Sequence, residues 1–164
     1  MTDNFDLNLD PIKDFIRNKL KEITNNNVGQ YASDIDEIRY IQNKDGQQRL
    51  AIIDYHKVNN KSLSIVNINF VVTSGKKASL RCQSELAQKD NISFYLIFYT
   101  CELNESMRFK IYDVIFYKGR FFTDFIGEYS LDEYLNFILS LKPMSSDDFK
   151  KRYYDVLNKF PENN

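Results

Sequence analysis

The spacing of apolar residues changes several times along the chain, and each change marks an element. Ile12, Phe15, Ile16, Leu20 and Ile23 recur at three- and four-residue intervals. That spacing draws one apolar stripe along a helix. Asp10 is a good capping residue before it, and Pro11 suits a first helical position, where no amide donor is needed. Asn25-Asn26-Asn27 and Gly29 stop the pattern. From Ile35 the period becomes two, which predicts strands over Ile35 to Gln42 and Gln48 to His56 joined by an Asn43-Lys44-Asp45-Gly46 turn. A third strand is expected over Ser62 to Thr73, with Val66, Ile68, Phe70 and Val72 on one face and Asn67 and Asn69 on the other.

Ala78 to Leu86 fits two patterns. Leu80, Cys82 and Ser84 alternate as in a strand, the reading favoured here, while Ala78, Cys82 and Leu86 have helical spacing. The next two runs, Ile92 to Cys101 and Met107 to Phe116, make a long hairpin. Eleven of the 24 aromatic residues lie between Phe94 and Phe125. Phe94, Leu96 and Phe98 would point one way, and Tyr95, Ile97 and Tyr99 the other, so a central strand covered on both faces is expected. Lys118-Gly119-Arg120 turns the chain into a further strand from Phe121 to Phe125. Ser130-Leu131-Asp132-Glu133 has the form of a capping box, opening a helix with Leu131, Tyr134, Leu135, Ile138 and Leu141 on its inner face. Ser145 or Ser146 caps a last helix whose inner face is Phe149, Tyr153, Val156, Leu157 and Phe160.

The expected fold is therefore α+β. It has an N-terminal helix, a curved, mostly antiparallel sheet of five to six strands with helices on one face, and two C-terminal helices. Residues 1–164 read as one domain, with 1–9 a flexible N-terminus. A chain of 164 residues buries about 70% of its unfolded surface, enough for a core without staples. The 43% hydrophobic and 15% aromatic content excludes a disordered chain. Lys and Arg number 22 against 23 Asp and Glu, well mixed, so the charge shows no nucleic-acid footprint. Met1 to Asp10 lacks the pattern of a signal peptide, and no apolar run reaches the roughly 20 residues of a membrane span. The expected location is the cytoplasm, or the periplasm if a leader has been removed.

Candidate chemistry is sparse. Asp54 and His56 stand two apart and share one face of a strand, and Asn67 and Asn69 share a face of the next. If the faces coincide, a carboxylate, an imidazole and two amides lie together, a set that could serve a general base. A wet sheet face accounts for the same residues more simply. Cys82 and Cys101 match no metal spacing, and their apolar surroundings predict buried, inert thiols. No metal site and no cofactor are expected. Lys76-Lys77 with Arg81, and Lys150-Lys151-Arg152, read as solvated basic faces.

The run Phe109-Lys110-Ile111-Tyr112-Asp113-Val114, with Gly119 after it and the capped helix at Ser130 to Leu141, resembles the last strand and following helix of the MlaC, or toluene-tolerance, family of periplasmic phospholipid carriers. A helix ahead of a curved sheet is similar, more broadly, to the NTF2-like (cystatin-like) class. That resemblance implies a cone-shaped sheet around a pocket for a lipid or another small apolar ligand.

The leading expectation is a non-catalytic protein-binding module, such as a small bacterial or phage inhibitor, immunity or adaptor protein. Its partner would be another protein or a second copy of the chain. Tyr95, Tyr99 and Tyr117 are the candidate contact residues, with Asp54, His56, Asn67 and Asn69, because surplus Tyr at a surface favours protein contact. The alternatives are an NTF2-like pocket protein and an enzyme using Asp54 and His56.

Overall fold

A computed structural model describes residues 11–24, 30–34, 37–44, 46–59, 77–100 and 102–159, with Leu63 and Ile68 as isolated positions. The chain is α+β. Helix α1 (Pro11–Ile23) is followed by β1 (Gln30–Asp34), β2 (Glu37–Asn43), β3 (Gly46–Val58), α2 (Lys77–Lys89), β4 (Ser93–Thr100), β5 (Arg108–Tyr117) and β6 (Arg120–Ser130). Helices α3 (Leu131–Leu139) and α4 (Ser146–Asn158) complete the chain.

The strands form one mixed sheet in sequence order, β1 through β6. Four neighbouring pairs are antiparallel, and β3 runs parallel to β4. Turn chemistry fixes the hairpins. Asn43 pairs with Gly46, whose φ of 119° is open only to glycine. Tyr117 pairs with Arg120 around Lys118 and Gly119, both in the left-handed region that a tight two-residue hairpin needs. The parallel pair cannot use a short turn and requires a crossover, which contains α2.

Alternation places β4 and β5 between two cores. Toward one face, Ile53, Ile97, Tyr99, Phe109 and Ile111 meet Ile12, Ile16 and Leu20 of α1 and Leu131, Tyr134, Leu135 and Ile138 of α3. Phe109 and Tyr134 stack there, with centroids 4.2 Å apart. Toward the other face, Ile52, Phe94, Leu96, Phe98, Tyr112 and Val114 meet Leu80 and Ala87 of α2, with Ile92, Leu63 and Ile68. The opposed pointing of Phe94, Leu96 and Phe98 against Ile97 and Tyr99 is thus realised in the core. Ser130 ends β6 and caps α3 directly, its side chain accepting from the Glu133 amide while Glu133 accepts from the Ser130 amide. Ser145 caps α4 by accepting from the Asp148 amide at 3.1 Å.

The structure departs from expectation at several points. Ala78 to Leu86 lies in helix α2, not in a strand. The inward residues of α2 are Leu80, Gln83, Ser84 and Ala87, at helical spacing, while Cys82 and Leu86 face outward. Two of the four inward positions are polar, which hides the stripe from a reading by hydrophobicity. Ser84, and Gln88 one turn on, have a backbone to serve, because β5 extends beyond its last paired contact with β4. Ser84 Oγ accepts from the Phe116 amide at 2.9 Å, and Gln88 Nε2 donates to the Phe116 carbonyl at 3.0 Å. These side chains replace a strand neighbour. The end of α2 is a Schellman turn with Asn91 at φ 56°, where Ile92 N–H donates to Ala87 O and Asn91 N–H to Gln88 O.

Consequently helices cover both faces of the sheet, not one, and Cys82 is exposed, not buried. Strand β1 was not anticipated. The expected strand Ser62 to Thr73 falls almost wholly outside the described residues, as do Cys101, Phe160 and the capping residue Asp10. Within that segment Leu63 lies in a turn and Ile68 is helical.

Candidate functional site

Strands β1 and β6 are the two outer strands of the sheet, and among the described residues no strand pairs with the far side of β6. An unpaired row of amides and carbonyls can template an added strand, which proteins usually blunt with charge, proline or a bulge. Here the bulge is present. Tyr112 pairs with Phe125 and Ile111 with Gly127, so Ile126 has no opposite residue. Gly127 fits this bend because a Cβ would stand 3.0 Å from the Tyr129 ring. Before the bulge, Arg120 to Phe125 pair regularly with β5. Phe125 is 52% exposed and Ile126 37% exposed, so two large apolar side chains meet solvent side by side on this edge. The Lys110 ammonium lies 5.6 Å from the Phe125 ring centre, a cation–π contact that holds a charge close to the patch.

Asp54 and His56 lie near the carboxyl end of β3, opposite Leu96 and Phe98 of the parallel strand β4. Their side chains meet, with His56 Nε2 2.9 Å from Asp54 Oδ2. The His56 ring packs 5.6 Å from Phe98 and is 10% exposed. Asn67 and Asn69 lie outside the described residues. Lys110, on the same sheet face, donates to the Leu63 carbonyl at 3.4 Å.

The three tyrosines do not form an open surface. Tyr99 is buried and meets Tyr55 edge-on at 6.1 Å. Tyr95 packs edge-on against Phe137 of α3 at 5.2 Å, and burial, followed by the nearby Asp113 charge, pushes its phenol pKa up. Tyr117 meets Tyr153 of α4 at 5.9 Å. All three lie under helices.

Sequence reading missed a buried charge. Asp113 in β5 is 2% exposed and accepts from Arg152 of α4, while its neighbour Asp124 accepts from Lys159. Burial raises the Asp113 pKa, against the opposing pull of Arg152. Arg152 was read as part of a solvated face; Lys150 and Lys151 are exposed, but Arg152 turns inward. The inward direction depends on the strand beneath α4, and no local pattern carries it.

A groove of about 340 Å³ lies between the end of α1 and the start of α3, lined by Lys19, Glu22, Glu105 and Asp132 beside Ile23 and Leu135. Its charged wall suits water or polar groups better than a lipid tail. Among the described residues no three His, Cys, Asp or Glu side chains are placed to hold a metal. No described helix is long and apolar enough to cross a membrane. No family model, curated protein or solved structure matches the chain.

Proposed function

We propose that this chain is a non-catalytic protein-binding module that takes an extended partner segment along the outer edge of β6. The observation that carries this reading is the exposure of Phe125 and Ile126 on an outer strand with no neighbour among the described residues. A strand added beside Arg120 to Phe125 would gain main-chain hydrogen bonds and cover Phe125. Affinity would come from the backbone ladder and one aromatic anchor, the usual economy of strand addition.

The test is co-purification from the native cell with the wild-type chain and with Phe125→Glu/Ile126→Lys. Both positions are exposed, so the variant should keep its melting temperature within a few degrees. The bound partner should fall at least tenfold. Unchanged capture by a folded variant would sink the proposal. A second copy as the partner would appear as a dimer by light scattering, lost in the same variant.

The 2.9 Å contact between His56 and Asp54 favours a second reading, a proton-transfer site. In open sheets with parallel strands, ligands gather at the carboxyl ends, where this pair lies. With Asp54 accepting from Nε2–H, the Nδ1 lone pair would be the base. His56→Gln should then abolish cellular activity without loss of stability, and retained activity would exclude that role.

A further inference from the structure

Helix α4 sits on β5 and β6 through two charge pairs and a small apolar seam. Arg152 donates to Asp113 Oδ2, and Lys159 Nζ donates to Asp124 Oδ2 at 2.8 Å. The two cations are seven residues apart, two helical turns, and so project from one side of α4. The two carboxylates are cross-strand partners. Two positions along the same strands, the cross-strand pair Ile115 and Phe122 packs with Val156, flanked by Tyr153, Leu157 and Tyr117. The seat on the sheet is therefore an acidic groove with an apolar floor, shaped for a basic amphipathic helix.

The helix is held lightly. Only Phe149 and Val156 of its thirteen residues are buried, whereas the nine-residue α3 buries Leu131, Tyr134, Leu135 and Ile138. The connection over residues 140–145 has no helix or strand and contains Pro143. Docking also completes the burial of Asp113, whose Oδ1 has no hydrogen-bond partner among the described residues. An incompletely satisfied buried carboxylate opposes docking, because its desolvation is only partly offset, chiefly by Arg152 and to a lesser extent by Lys159.

We propose that the β5–β6 groove is a helix-docking site, filled in cis by α4 and open to a partner's amphipathic helix that carries two basic residues seven positions apart. The groove lies under α4 and not along the β6 edge, so this inference and strand addition stand or fall separately.

The experiment uses the full chain and a fluorescent peptide of residues 145–159. In Arg152→Glu/Lys159→Glu, like charges expel the cis helix from its seat. That variant should bind the peptide at least tenfold more tightly than the wild type does. A peptide carrying the same two reversals should bind neither chain. Equal peptide binding by variant and wild type, or indifference to the peptide's charges, would overturn the proposal. If the variant does not fold, hydrogen exchange on the wild type decides. Amides of α4 should exchange at least tenfold faster than those of α3, and equal protection would refute a displaceable helix.

Discussion

Asp113 shows how one residue can set the pH response of a whole fold. Burial raises its carboxyl pKa above the ordinary carboxylate value, with Arg152 pulling it back most strongly and Asp124 and Lys159 also acting on it. A raised folded pKa means that the folded state holds the proton longer than the unfolded chain does. The stabilisation linked to that proton is complete below the unfolded value and is lost as pH rises through the folded one. Asp113→Asn cannot ionise, so its stability relative to the wild type should improve as pH rises from about 4. Urea denaturation at a series of pH values measures this, and parallel curves would refute it. Removing the cation is the harsher change. Arg152→Ala leaves a buried carboxylate without its counter-charge and should cost about 3–5 kcal/mol near neutral pH. That loss should shrink toward acid pH as Asp113 takes up its proton. The Asp54–His56 pair was legible from its two-residue spacing, but Asp113 and Arg152 stand 39 positions apart. No local pattern can pair residues that only the tertiary fold brings together.

At the scale of elements, legibility followed how purely apolar each inner face is. Helices α1 and α3 were readable because Ile12, Ile16 and Leu20, and Leu131, Tyr134, Leu135 and Ile138, fall on unbroken stripes that the core takes up. The Ser130 cap was equally plain, since its signature is local. Ser130→Ala should cost about 1 kcal/mol, read as a lower urea midpoint with an unchanged slope. Helix α2 was misread because two of its inward positions, Gln83 and Ser84, are polar. Ser84 is inward because its hydroxyl satisfies a strand backbone, so its value lies in hydrogen bonding and not in hydrophobic burial. Ser84→Ala should leave the Phe116 amide without its acceptor and cost about 1–3 kcal/mol, more than loss of so small a side chain implies. A loss below about 0.5 kcal/mol would show that water serves that amide equally well.

At the scale of the molecule, the decisive fact is that helices close both faces of the sheet. The aromatic residues of β4 and β5 fill two cores, and the two proposed contact surfaces are the β6 edge and the seat of α4. Leu96, fully buried toward α2, and Ile97, fully buried toward α1 and α3, should each cost about 2–5 kcal/mol when cut to Ala. Similar losses in thermal denaturation would confirm two cores of comparable weight. The parallel contact between β3 and β4 has a further consequence, in the order of folding. Each half of the sheet, β1 to β3 and β4 to β6, is joined internally by adjacent strands, whereas the seam between the halves closes a loop from Val58 to Ser93. Closing that loop costs chain entropy before any ladder bond repays it. The β4–β5–β6 meander should therefore protect its amides first in pulse-labelled refolding, with the β3–β4 ladder appearing last as the two halves zip together.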